Sequence, residues 1–406
     1  MAGIYIHIPF CKQKCHYCDF HFSTSLKLKN EMIDAIVHEI ELRKDFFSSL
    51  PTADRPLRTI YFGGGTPSLL TSTDLEKIFS ALHENFDLSQ VEEITLEANP
   101  DDISKEKLLE WKSAGINRLS IGIQSFDDAE LKYMNRAHDS KQAEQSIRDA
   151  QEAGFENISV DLIYGIPNLI PDPSPAGEGS GFSRTTDNGQ RTTFLSNLEK
   201  ANSFNIPHLS CYSLTVEPRT ALDLMIKKGK SQPVSDEQSA HEFELLMEFA
   251  EANGYEHYEI SNFARNEKYS KHNTAYWTGE YYLGIGPSAH SYNGNTRSWN
   301  VANNTQYIKS VLAPLSHGRG VRGEGKPANS TGGFEILTPS MRWNELVMIS
   351  LRTKWGLALE SLPENFHQQV DDFISQGFIS KSGSKIFLTR KGKLIADRII
   401  SDLMMV

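Results

Sequence analysis

A chain of 406 residues with 39% hydrophobic and 23% charged content is long enough for two or three domains and has the composition of an ordinary globular protein. Its formal net charge of −11 argues against general nucleic-acid binding, which relies on Lys and Arg neutralising phosphates. No stretch reaches the roughly 18 apolar residues of a membrane span, and Met1-Ala-Gly-Ile-Tyr carries neither a basic leader nor a long apolar run, so a cytoplasmic protein without a transmembrane segment is expected.

Residues 4–8, Ile-Tyr-Ile-His-Ile, predict a strand that Pro9 ends. Directly after it, Cys11-Lys-Gln-Lys-Cys15-His-Tyr-Cys18 holds three of the four cysteines. A disulfide framework would use an even set spread along a small secreted chain. A structural zinc site needs a fourth ligand, which His7, His16 or His21 could supply. Three thiolates on one tight loop suit a 4Fe-4S cluster that leaves one iron free to hold a small molecule. The spacing CxxxCxxC, with Tyr17 before the last Cys, resembles the radical S-adenosylmethionine (SAM) superfamily. The resemblance implies that Cys11, Cys15 and Cys18 bind the cluster and that the open iron chelates SAM. An electron from the cluster would then break the sulfonium bond to give a 5′-deoxyadenosyl radical.

Further strands are predicted at 59–62, 93–97, 118–122, 159–163 and 208–213, with helices at 30–47, 72–85, 105–114, 140–153 and 194–204 between them. Short apolar strands alternating with helices imply βα units and a parallel sheet. About six repeats favour a barrel or partial barrel over an open sheet, periodicity alone not deciding closure. The superfamily resemblance implies a partial (β/α)6 TIM-like barrel. In such folds function gathers at the C-terminal strand ends. Chemistry-bearing residues fall there. Gly63-Gly64-Gly65-Thr66 ends the second strand, and glycines let backbone approach a ligand. Glu97, before Ala98-Asn99-Pro100, ends the third. Gln124 leaves the fourth, Arg136 follows a short helix, and Asp161 stands inside the apolar fifth strand. Singly these are ordinary turn, cap or ion-pair residues; together they place two acids, an amide and an arginine at one strand mouth, a set able to grip a ribose, a carboxylate and a sulfonium.

The run IYIHIPFC, GGGTP, EANP, NRLSIGIQ, NR and DLIYGIP, ending near residue 167, is similar to the oxygen-independent coproporphyrinogen III oxidase family and its close relatives. Carried over by position, the resemblance makes Tyr5, Gly64, Gly65, Thr66, Glu97, Gln124, Arg136 and Asp161 contacts of SAM. Residues 168–193, rich in Pro, Gly and Ser, predict a mobile insertion. After a polar helix at 235–253 comes His272-Asn-Thr-Ala-Tyr276-Trp277. By its residues alone this is a histidine with packed aromatics. HNxxYW resembles the signature of the haem chaperone branch of the family, which implies that His272 is associated with haem. Residues 314–333 predict a linker. From 334 onward, helices at 339–353 and 366–376, strands at 378–380 and 385–388 and a helix at 390–403 resemble a winged helix, read as a docking or cover domain. The domain division expected is therefore 1–240 barrel, 241–313 extension, 314–333 linker and 334–406 C-terminal domain.

Two functions compete. A haem chaperone would bind haem, the cluster and SAM, and deliver haem to acceptors such as respiratory proteins. The oxidase would decarboxylate coproporphyrinogen III to protoporphyrinogen IX. The enzyme branch carries a further Cys where this chain has Phe20, and a long extension where ten residues precede Cys11. Both departures, with HNxxYW, favour the chaperone. A radical SAM enzyme of another substrate and a zinc-bound interaction protein are the remaining alternatives. An electron donor is an expected partner, and peripheral membrane contact stays open.

Overall fold

The computed structural model describes residues 2–50, 56–167, 192–313 and 331–405. Apart from 192–193 and 331–333, the expected insertion and linker lie outside the described residues. Six parallel strands follow in sequence: β1 (Ala2–Ile8), β2 (Leu57–Gly64), β3 (Glu93–Ala98), β4 (Arg118–Gln124), β5 (Asn157–Tyr164) and β6 (His208–Ser213). Then come β7 (Glu256–Glu259), β8 (Asn262–Ala264), β9 (Tyr281–Ile285), β10 (His290–Tyr292), β11 (Thr296–Trp299) and β12 (Gly333–Ile336). All join one sheet in the order β12-β11-β10-β9-β1-β2-β3-β4-β5-β6-β8-β7. β1 pairs with β2 and β9, and β6 with β5 and β8, so the first and sixth strands do not meet and the barrel stays open. β12 belongs to this sheet through its ladder with β11, so residues 333–336 extend the barrel sheet instead of beginning the C-terminal body as expected.

Side chains alternate across a strand, and this alternation sorts the core. Ile4, Ile6, Ile8, Ile60, Phe62, Leu96, Leu119, Ile121, Val160 and Leu209 are buried against the helices outside. The intervening positions face inward and are largely polar: Tyr5 and His7, Thr59 and Tyr61, Glu93, Thr95 and Glu97, Arg118 and Ser120, Ser159 and Asp161, His208 and Ser210. Parallel register puts these in layers, with Glu97 opposite Ser120 and Asp161 opposite Ser210. Several of the helices that cover the outer face start on side-chain caps. Thr71 and Asp74 form a reciprocal box before α1 (Ser72–Asn85), and Asp139 and Gln142 do so before α2 (Ser140–Glu152). Each such cap is worth about 1 kcal/mol.

Residues 337–405 carry a second core around Trp343, Val347, Leu357, Val370, Ile386 and Ile399. Helices there enclose a three-stranded antiparallel sheet of Leu357–Ala358, Lys385–Leu388 and Ile379–Ser382. The backbone ties this body to the barrel, since Ile260 N–H donates to Arg352 O and Lys354 N–H to Tyr258 O, each at 3.0 Å. The single helix expected at 390–403 is two, Arg390–Lys393 and Ala396–Asp402, broken at Leu394-Ile395. Among the described residues no helix is long and apolar enough to cross a membrane.

Candidate functional site

The loop after β1 is pinched at its base. Cys11 N–H donates to Ser23 O at 3.1 Å, and Ser23 N–H donates to Pro9 O at 2.9 Å. The three thiols it carries are free and half-buried. They line a cavity of about 1480 Å³ that also takes in Gly64, Gly65, Thr66, Glu97, Gln124, Arg136 and Asp161. The predicted residues thus meet at the C-terminal ends of the strands, with Tyr5 and His272 as the exceptions.

Each cavity residue is placed for a physical reason. Gly64 has φ +105°, and a Cβ on it would meet the His7 ring at 2.5 Å, so only glycine fits. Its N–H donates to Glu97 Oε2 at 3.1 Å while Tyr61 donates to Oε1 at 2.7 Å. Burial nevertheless dominates and raises the Glu97 pKa to about 7. Burial also raises Asp161 to about 6, against hydrogen bonds from Ser210 and from Ser120, the latter at 3.2 Å. Arg136 reaches across the floor, with Nη1 3.3 Å from Cys15 Sγ and Nη2 donating to Asn99 Oδ1 and Gly122 O at 2.7 Å each. Its Nε is buried with no partner among the described residues. Gln124 takes φ +68° at the strand exit, a costly conformation for a non-glycine residue and a frequent mark of ligand sites.

These residues fit the cluster and SAM. The thiols share one wall, an arginine with an unmet donor stands beside them, and two buried acids are poised to ionise against a cationic ligand. Of the histidines that could complete a zinc site, only His7 has both ring nitrogens engaged. His7 pairs with Tyr5 and with His21 O, His16 with Tyr133 O, and His21 with Asn304. Among the described residues no three or more His, Cys, Asp or Glu gather closely enough to hold a single metal ion. Cluster thiolates each ligate a different iron and need no such closeness. Burial pushes the Cys11 and Cys18 pKa values up to about 11, so binding a cluster would release protons.

His272, which the motif associates with haem, lies away from the cavity that holds the predicted residues other than Tyr5. It is 1% exposed and sits by the strand starts, the end of the barrel opposite the cysteine loop. Its Nδ1 pairs with Thr59 Oγ1 at 2.8 Å and its Nε2 with Tyr276 OH at 2.9 Å. The short helix that carries it, Lys271–Trp277, is docked by Glu93, whose carboxylate accepts the Lys271 and His272 N–H groups at 3.0 Å. HNxxYW therefore plugs the barrel floor. Tyr5 likewise stands outside the cavity lining, its hydroxyl 3.1 Å from His7 Nδ1 and its ring against Tyr61. Sequence reasoning passed over Asn99, Ser120 and Tyr61, which orient Arg136, Asp161 and Glu97. Their signal was the polar half of the strand alternation.

The raised acids give a testable pH dependence. A carboxyl whose folded pKa lies above its unfolded value binds protons more tightly when folded. Its contribution to stability therefore falls as pH rises from about 4 through the folded value. Asp161→Asn should thus stabilise the ligand-free protein by about 3 kcal/mol at pH 7.5 and by about 1 kcal/mol at pH 4.5, while weakening SAM binding. Melting curves of variant and wild type across that range check it. Buried His7, His138 and His257 act in the opposite direction, their lowered pKa values removing stability as pH falls below about 6.5. They cancel in the difference. A pH-independent difference would refute the assignment.

Residues 5–173 match the Radical SAM superfamily and residues 337–395 the HemN C-terminal domain. A protein of Bacillus subtilis (strain 168) named heme chaperone HemW is 34% identical over 410 residues, covering 98% of this chain and 98% of that protein. The heme chaperone HemW of Escherichia coli (strain K12) is 30% identical over 408 residues, covering 98% and 97%. Among solved structures, the coproporphyrinogen III oxidase HemN of Escherichia coli superposes with a TM-score of 0.74 at 23% identity over 100% of this chain and 90% of that one, a likeness of fold. Full-length identity at this level, with two family matches in order along the chain, makes it a member of the heme chaperone HemW family within the radical SAM superfamily.

Proposed function

We propose that this protein is a haem chaperone that binds haem, a 4Fe-4S cluster and SAM, and hands haem to acceptor proteins such as respiratory enzymes. The carrying observation is one cavity of about 1480 Å³ whose lining joins the three thiols and the polar strand-end residues to the apolar side chains Tyr164, Phe243, Leu394 and Ile395. Cys11, Cys15 and Cys18 would hold the cluster. Gly64, Gly65 and Thr66 would approach SAM through backbone and hydroxyl. Glu97, Gln124, Arg136 and Asp161 would meet its polar groups. The cluster, once bound and reduced, supplies electrons to SAM. The chain's own residues bind, orient and exclude water. Full-length relatives named heme chaperone support the reading, and so does Phe20 on the cysteine loop, 70% exposed where the oxidase branch has a cysteine. A cytoplasmic setting and an unidentified electron donor belong to the same proposal.

The deciding assay is anaerobic, with reconstituted cluster, reductant, SAM and coproporphyrinogen III. We expect no protoporphyrinogen above background, and haem binding in a parallel hemin titration. Protoporphyrinogen formation at enzymatic rates would establish the oxidase instead.

A further inference from the structure

The apolar part of the cavity contains one side chain that the cluster and SAM leave unused. Tyr164 and Phe243 stack there, centroids 5.9 Å apart and planes within 8°. Leu394 and Ile395, at the break between the last two helices, complete the wall from the C-terminal body. Lys393 stands beside them. Its Nζ lies 2.9 Å from Nδ1 of His257, whose Nε2 is 3.0 Å from Ile260 O. His257 is held neutral, burial lowering its pKa to about 3, so it accepts from the ammonium without supplying a counter-charge.

Lys393 forms no ion pair among the described residues. The acid that faces it, Glu259, is already committed: its Oε1 accepts Arg352 Nε at 3.3 Å, and its Oε2 accepts Asn262 Nδ2 at 2.6 Å and Ser261 N–H at 3.0 Å. The other cations on this wall have partners, Arg352 with Glu259 and Asp397, and Arg398 with Asp402. Burial lowers the Lys393 pKa to about 8, which leaves it cationic at neutral pH. A half-buried ammonium with no carboxylate is costly to hold in an apolar wall. A ligand bringing its own carboxylate on a flat apolar body would offset that cost while meeting the cavity-facing edges of Tyr164 and Phe243, which are 9% and 5% exposed.

We propose that this wall is the tetrapyrrole site and that Lys393 receives a propionate carboxylate of the haem. The inference rests on the haem-chaperone reading and adds the residue that orients the ligand. The macrocycle would lie against Tyr164, Phe243 and the Leu394-Ile395 break, on the apolar side of the cavity that the thiols share. The C-terminal body is then part of the binding site and not only a cover.

The test titrates the full-length chain with hemin and with hemin dimethyl ester, whose carboxylates are blocked, following the Soret band. Wild type should prefer hemin by roughly tenfold or more, the worth of a charge-assisted hydrogen bond. Lys393→Met should lose that factor for hemin, bind the ester as wild type does, and so lose the preference. Lys393→Arg should restore it. Wild-type binding of hemin and ester with equal affinity would overturn the inference, as would a Lys393→Met protein that keeps the full preference. Either result leaves the chaperone reading standing. A wild-type chain that binds no hemin would overturn both.

Discussion

Replacing any one of Cys11, Cys15 or Cys18 with alanine should abolish the brown visible absorption of the reconstituted protein and take its iron and sulfide to near zero. The loss is all-or-none because the three thiolates act as one site. The cluster already lacks a protein ligand on one iron, so a second missing ligand leaves too few anchors to retain it. His7 has both ring nitrogens engaged, with Tyr5 and His21 O, whereas His16 and His21 have one each engaged. The loss of iron therefore also tests whether either can take a thiolate's place. Cys211 is the internal control. It is 1% exposed on the outward face of β6, packed among core residues, and Cys211→Ala should leave iron and sulfide unchanged. Unchanged iron content in all three loop variants would refute the cluster assignment.

His272→Ala should destabilise the protein by about 2–4 kcal/mol and leave haem affinity as it is. The imidazole bridges Thr59 and Tyr276 inside the barrel and stacks on Tyr61 with centroids 5.1 Å apart. Removing it opens a cavity and strands two buried hydroxyls, each of which then carries a desolvation penalty. Tyr61 in turn donates to Glu97, so SAM binding should weaken as a secondary effect. Thermal melting paired with a hemin titration separates the outcomes. Unchanged melting with reduced hemin affinity would return His272 to the role of haem ligand.

These two expectations differ in how early they become visible. The cysteine loop is contiguous, and its chemistry is carried by residue type and spacing within eight positions. The glycine run, Glu97, Gln124 and Asp161 were legible for a related reason. A parallel βα fold puts strand C-termini at one mouth, so naming the strand ends names the site. Arg136 belonged to the same set through its short helix. The inward polar half of the strands was present as a period of two, but helix-covered parallel strands usually read as continuous apolar runs. Asn99, Ser120 and Tyr61 were therefore passed over as strand residues.

HNxxYW was legible as a motif, but its location was not. Its place under the barrel depends on Glu93, 179 residues earlier, receiving the helix start. The same holds for Lys393, whose surroundings come from β5, from the helix Asp236–Ala252 and from the break before Ala396.

The sequence by itself determined the chemistry of the cysteine loop, the parallel βα order and the level at which ligands gather. Each follows from local spacing and from the period at which side chains alternate. Only the tertiary structure decided that the barrel stays open, that His272 seals the floor and that the C-terminal body walls the cavity. Those outcomes depend on strand order and on packing between residues hundreds of positions apart, which no local period encodes.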